Sequence, residues 1–272
     1  MRTTTGPAPR QIRRLREIVT IFVRYGFADV VGRLRLASYL TLGRRLLFPG
    51  RGLEGEEGTL TSPHRLRLAL QDLGPTFIKF GQALSLRADI LAPEYVAELA
   101  RLQDEVPPLG AGQAEAAIEA ELGAPLKHFF TRFDQVPLAA ASIAQVHRAA
   151  LVGGEEVAVK VRRPDIAAII ESDLAILGQI ARLAERYLSD AELYRPSGLV
   201  EEFARSIRRE LDLAREGRTI DRFRQNFAAD PTVRLPKVYW SHTTSGVLTL
   251  EYMPGIKVSD AMSAGPGFDP PL

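Results

Sequence analysis

At 272 residues, 46% apolar and 25% charged, the chain is long enough to bury a core and too apolar for a disordered or fibrous class. A net charge of only +2 excludes the polyelectrolyte signature of a nucleic-acid binder. The absence of cysteine excludes disulfides, thiolate zinc sites, iron–sulfur clusters and a cysteine nucleophile, and His64, His128, His147 and His242 are scattered without ligand spacing, so no metal site is expected.

Residues 10–48 form the one basic region. Arg13, Arg14, Arg16 and Arg24 interleave with Ile18, Ile21 and Phe22 in an amphipathic helical pattern that Gly26 interrupts. Such a helix can lie on an anionic membrane surface or dock on its own protein with a solvated basic face. The docked arrangement is preferred. The apolar run from Ile18 to Val23 is far shorter than the roughly 18 residues of a membrane span, and no small-residue cleavage site follows it, so no secretory leader is expected. Residues 50–58 are a flexible linker by composition.

Ser62-Pro63 starts a helix, with Ser62 as the capping hydroxyl and proline in the first turn. Gly74-Pro75 stops it and opens a second helix carrying Phe77, Phe80 and Leu84. A third begins near Pro93, and a fourth runs from Gln113 to Leu122 and ends at Gly123. Strand texture then prevails from Phe129 to Val161, with Gly153-Gly154 as a hairpin turn. Two long helices are expected over Pro164–Leu188 and from Leu199 to about Phe227. Strands return at Val238–Trp240 and Val247–Leu250, joined by a Thr243–Gly246 turn, and the tail from Ala261 onward has no period.

Val157-Ala158-Val159-Lys160-Val161 alternates as a strand, which sets Lys160 on the face opposite Val159 and Val161. A strand lysine is either an ordinary snorkelling residue or, as in protein kinases, a contact to nucleotide phosphates. One hairpin earlier, Ala139-Ala140-Ala141-Ser142-Ile143 stands where a kinase has its glycine-rich phosphate cover; it reads equally as a small-residue turn packed in a core. A kinase also needs a helix-borne glutamate to hold the lysine. In Glu210-Leu211-Asp212-Leu213-Ala214-Arg215-Glu216 a regular helix would put Asp212 and Glu216 on one stripe and turn Glu210 away, with Glu216 as the candidate. The alternative is a solvated acidic patch balanced by Arg208, Arg209 and Arg215. Leu250, Glu251 and Met253 end a strand as an adenine-binding hinge would: Leu250 as gatekeeper, the Glu251 carbonyl and the Met253 N–H facing the base.

These features, in this order and preceded by the phrase Leu73-Gly74-Pro75-Thr76-Phe77-Ile78-Lys79-Phe80-Gly81-Gln82, resemble the UbiB/AarF family of atypical kinases, whose KxGQ signature that phrase matches. The resemblance spans roughly residues 10–260. It implies an α+β fold, a helical N-terminal extension followed by a protein-kinase-like N-lobe, with the C-lobe missing. The segments would be residues 1–60 (basic helix and linker), 61–128 (extension with KxGQ), 129–256 (N-lobe to hinge) and 257–272 (truncated tail). It also implies ATP or ADP binding, ATP hydrolysis, and a link to biosynthesis of ubiquinone or other isoprenoid lipids. Carried over, the site residues are Lys160, Glu216, Lys79, Gln82, Glu210 and Asp212. Ala139–Ile143, Ala158, Leu250, Glu251 and Met253 would surround the nucleotide, with Gly81 in or beside the site. A cytoplasmic location is expected, with peripheral attachment to the inner membrane face as the alternative.

The chain departs from that pattern after the hinge. No catalytic-loop aspartate, metal-binding asparagine or Asp-Phe-Gly triplet follows, so the ligands for magnesium expected in the complete fold are absent; Gly267-Phe268-Asp269 is that triplet reversed and carries no meaning. A fragment inactive on its own is therefore expected. The alternative is a nucleotide-binding scaffold or a module that meets a membrane surface, an isoprenoid lipid or a separate C-terminal lobe, with no nucleic-acid role. Gly217 stands after Glu216 where relatives commonly carry alanine, and a helical glycine costs about 1 kcal/mol, which would soften the helix there.

Overall fold

The computed structural model describes residues 9–36, 60–102, 106–188 and 191–255. The last third of the basic region, the linker at 50–58, the tail and the Gly267-Phe268-Asp269 triplet lie outside the described residues. Contacts divide the rest into two compact units that interleave along the chain. A helical unit is drawn from residues up to Leu109, Ala140–Ala144 and Arg162–Asp212; a sheet unit is drawn from Gly110–Ala139, Gln145–Val161 and Leu213 onward. The fold is α+β, as expected.

In the helical unit, α1 (Pro9–Arg24) and α2 (Ala28–Arg33) are separated by Gly26. Leu15, Ile18, Val19 and Ile21 of α1 are buried in the unit's core, while Arg13, Arg16 and Arg24 remain exposed. Each buried side chain contributes about 1.5–3 kcal/mol. The basic helix is thus docked on its own protein and its apolar stripe is already covered. Arg14 staples the helices: its guanidinium donates to both carboxylate oxygens of Asp173 at 2.7 and 3.1 Å and to the Leu73 carbonyl at 2.6 Å.

Helix α3 (Ser62–Leu73) begins one residue earlier than the sequence suggested. Thr61 occupies the cap position without a side-chain bond, and Ser62, inside the helix, accepts instead from Arg65. Gly74 (φ 90°) is the single residue between α3 and α4 (Pro75–Ser85), followed by α5 (Pro93–Leu99). The core also takes in α7 (Ile166–Tyr187) and α9 (Pro196–Glu210), with the short α8 (Ala191–Tyr194) between them. Helix α6 (Gln113–Leu122) belongs to the sheet unit and ends at Gly123 in the left-handed conformation, as its sequence indicated. Among the described residues no helix is long and apolar enough to cross a membrane.

The antiparallel sheet contains β1 (Phe130–Phe133), β2 (Ala139–Ala140), β3 (Ala144–Leu151), β4 (Glu156–Arg162) and β5 (Val247–Glu251), in the order β1-β3-β4-β5 with β2 on β3. The Gly153-Gly154 hairpin forms as expected, with the Leu151 N–H donating to the Glu155 carbonyl at 2.9 Å. In β4 the valines 157, 159 and 161 are fully buried and Lys160 lies on the other face.

Two expectations fail. The helix drawn through Leu199–Phe227 is two helices, α9 and α10 (Leu213–Asn226), with Leu211 and Asp212 between them. The Leu211 carbonyl accepts from Arg162 at 2.8 Å, while the Leu213 N–H leaves the helical ladder for the Ser245 carbonyl at 3.0 Å. These two bonds replace helical ones, so a shared stripe for Asp212 and Glu216 does not exist. Val238–Trp240 also fails as a strand. Only Val238 bridges, to Leu250, and Trp240–His242 is a 3₁₀ turn. Threonine hydroxyls compete with strand pairing here: Thr243 Oγ1 donates to the Tyr239 carbonyl and Thr249 Oγ1 to that of His242.

Candidate functional site

In the sheet unit, β4 presents Ala158 and Lys160 on one face because they are two residues apart; their partners across the ladder are Leu250 and Leu248 of β5. Lys160 Nζ donates to both oxygens of Glu216 on α10, at 2.9 and 2.7 Å. The two side chains are 30% and 41% exposed, and such pairs contribute about 0–1 kcal/mol to stability. The fold gains little stability from holding them.

Helix α10 lies against β5 because Gly217 allows it. A methyl group at position 217 would stand 3.1 Å from Leu248, 3.2 Å from Trp240 and 3.4 Å from Val238. The glycine that looked like a weak point is a close packing contact next to Glu216. At the end of β5, Glu251 sends its N–H to the Lys237 carbonyl at 2.8 Å. Its carboxylate accepts from Arg234 at 2.6 Å and from the Lys237 N–H, which hold it below the usual carboxylate range. Tyr252 N–H donates to the Glu156 carbonyl at 3.0 Å, and the Arg148 guanidinium lies over the Tyr252 ring at 4.4 Å. Arg148 and Arg132 both donate to the Glu156 carboxylate, depressing its pKa in that order. The strand end is thereby fixed to the sheet, with Met253 in the irregular segment that follows. Sequence reasoning missed Arg148, Glu156 and Arg234, which look like ordinary surface charges until the register is known.

Buried polar groups support β3. Gln145 and His147 are 2% and 1% exposed. The His147 Nδ1–H donates to the Asp134 carbonyl at 2.8 Å, and its Nε2 accepts from the Gln145 amide at 2.6 Å. Ala139 belongs to the sheet unit and Ala140–Ile143 to the helical unit. There Arg163, another residue the sequence did not single out, pins the loop: its Nε donates to the Ala141 carbonyl at 2.9 Å and its Nη2 to that of Pro107 at 2.7 Å. Ser142 and Ile143 are buried, and the Ser142 hydroxyl has no hydrogen-bond partner among the described residues.

The remaining candidates lie in the helical unit. Lys79 on α4 pairs with Glu210 at the end of α9, 2.9 Å apart. Gln82 does something different: its amide donates to the Leu102 carbonyl at 3.0 Å, tying α4 to the residue chain after α5. Gly81 makes room for that packing, since a methyl group there would come within 2.3 Å of Leu102 and 2.8 Å of Leu70. Asp212 sits at the junction after α9, its N–H on the Arg209 carbonyl at 3.3 Å. No cluster of three histidine, aspartate or glutamate side chains able to hold a metal occurs among the described residues.

Residues 101–266 match the family model of the ABC1 atypical kinase-like domain. A Pseudomonas aeruginosa protein named probable protein kinase UbiB is 44% identical over 249 residues, 92% of this chain and 47% of that protein. Its Pseudomonas fluorescens counterpart is 44% identical over 92% of the chain and 46% of its own length. The chain thus spans about half the length of the curated relatives it matches. Among solved structures, the complex of Rv3197 with erythromycin from Mycobacterium tuberculosis is similar, with a TM-score of 0.53 and 26% identity, covering 72% of this chain and 49% of that one. On the family match and the kinase-like order of strand, lysine, helix and glutamate, the chain belongs to the ABC1 family of atypical kinase-like proteins.

Proposed function

We propose that this chain carries the nucleotide-holding part of a UbiB-type atypical kinase and binds ATP or ADP through Lys160, with Glu216 orienting the ammonium and the β5 end meeting the base. The observation that carries the reading is the two-oxygen contact between Lys160 and Glu216, on a strand and a helix that have little stability to gain from it. Ala158, on the same face as Lys160, leaves the strand open to a flat ring, and Leu250 opposite it stands as gatekeeper. The Glu251 carbonyl and the Met253 N–H are the groups assigned to the base. Lys79, Glu210, Asp212 and Gln82 are assigned to the family-specific part of the reaction. The family resemblance extends the reading to isoprenoid-lipid biosynthesis as a process, without naming a substrate.

The 272 residues contain no Asp-Phe-Gly triplet, so binding without turnover is expected of this chain by itself. Calorimetric titration with ADP and with ATP, and phosphate release, test both halves. Binding should weaken by about tenfold or more in Lys160→Met, a charge-assisted contact being worth roughly 1.5–3 kcal/mol. Affinity unchanged by that substitution removes the lysine from the site. ATP hydrolysis abolished by it shows that the chain turns nucleotide over unaided.

A further inference from the structure

Helix α10 is held to the rest of the sheet unit along one face, at positions four residues apart. At Leu213 the side chain is 1% exposed and the backbone N–H is bonded to Ser245. At Gly217 the missing side chain lets Leu248, Val238 and Trp240 close in. At Asp221 the carboxylate accepts from the Trp240 indole Nε1–H at 2.7 Å, with Arg224 as its other neighbour at 3.5 Å. The indole therefore lies along a full helical turn, its ring edge over Gly217 and its N–H on Asp221. That turn directly follows Glu216. Trp240 is itself anchored, since its 3₁₀ turn is tied to β5 through the bonds from Tyr239 N–H to the Thr249 carbonyl and from Thr249 Oγ1 to that of His242. Yet Trp240 is 42% exposed. A large aromatic left that open, with its one donor spent on a helix carboxylate, contributes more to positioning than to the core.

We infer that Trp240, through Gly217 and Asp221, is a positioning residue that sets how far α10 stands from β4 and so whether Glu216 reaches Lys160. The latch rests on the nucleotide reading above only for its consequence on affinity; its effect on the helix is independent of any ligand. It holds α10 by one hydrogen bond and one ring contact, which makes it easier to release than the buried Leu213 end. Motion would then pivot on Leu213 and carry Glu216 away from the strand lysine. Trp240 is the only tryptophan in the chain, so its emission reports on the latch directly.

The test uses the full chain and three variants. Asp221→Ala removes the acceptor, Asp221→Asn keeps an oxygen in its place, and Trp240→Phe keeps a ring over Gly217 without the donor. Without nucleotide, hydrogen exchange across residues 213–226 should rise several-fold in Asp221→Ala from Glu216 onward, with a red-shifted tryptophan emission. Asp221→Asn should restore both. Exchange and emission identical to the parent in Asp221→Ala overturn the latch. With ADP, affinity should fall about three- to tenfold in Asp221→Ala and in Trp240→Phe and recover in Asp221→Asn. A parent chain whose ADP affinity falls in Lys160→Met but not in Asp221→Ala also overturns the latch. A parent chain that binds no ADP sinks the nucleotide reading alone, and the exchange experiment still decides the latch.

Discussion

Asp173→Ala should be among the most destabilising single changes in the helical unit, and the structure supplies its own control two residues away. Asp173 is 1% exposed and accepts from Nε and Nη2 of the Arg14 guanidinium, whose side chain is only 18% exposed. Removing the carboxylate leaves a largely buried cation with the Leu73 carbonyl and the half-exposed Glu17. Breaking a buried pair costs about 3–5 kcal/mol. Because Arg14 retains those two contacts, a loss of about 3 kcal/mol is expected, lowering the melting temperature by about 6–12 °C for a domain of this size. Glu171, on the same helix, makes a similar fork with Arg208 at 2.7 Å for both bonds, but its side chain is 50% exposed and that of Arg208 52%. Glu171→Ala should cost about 0–1 kcal/mol. Urea unfolding followed by far-ultraviolet circular dichroism compares the two directly. Equal losses would mean that burial does not decide the strength of these pairs, and the reasoning would be wrong.

Glu216→Gln should leave the urea midpoint within the effect of about 1 kcal/mol expected of an exposed pair, yet weaken ADP binding about tenfold by calorimetry. Gly81→Ala should destabilise by about 1–3 kcal/mol through overpacking against Leu70 and Leu102, seen as a lower melting temperature. His242 is packed against Phe129 and Phe130 at 5.6 and 6.1 Å, and burial lowers its pKa from the ordinary histidine value of 6.5, against an opposing pull from Glu155. The unfolded chain then binds the proton more readily, so stability is complete above pH 6.5 and declines as pH falls below it. A melting temperature that does not fall between pH 7.5 and 5.5, or one whose fall persists in His242→Gln, contradicts that assignment.

Local rules carried much of the fold into the sequence. The Gly123 cap, the Gly153-Gly154 hairpin and the alternation around Lys160 each depend on a few neighbouring residues, and each forms. The pairing of Lys160 with Glu216 was legible only through the order of kinase features, since no local pattern links residues 56 apart. What stayed hidden was set by partners distant in sequence. The break between α9 and α10 comes from Arg162 and Ser245 capturing backbone groups that periodicity assigns to the helix. Thr243 and Thr249 turned a β-rich stretch into a 3₁₀ turn in the same way. The anchors of the alanine loop and of the β5 end, Arg163 and Arg148, are indistinguishable in sequence from the many other arginines of a basic chain.

Gly74 and Gly81 meet opposite surroundings. At 81 the place of a side chain is already filled by two leucines, whereas nothing lies within 4 Å of the place a side chain would take at 74. What Gly74 supplies is handedness, its φ of 90° and ψ of −163° being the mirror image of ordinary extended backbone. A D-alanine installed there by peptide ligation should thus be accommodated and should stiffen the corner between α3 and α4, while its L enantiomer strains it. Chirality alone would tell the two apart, with no change in mass, charge or composition.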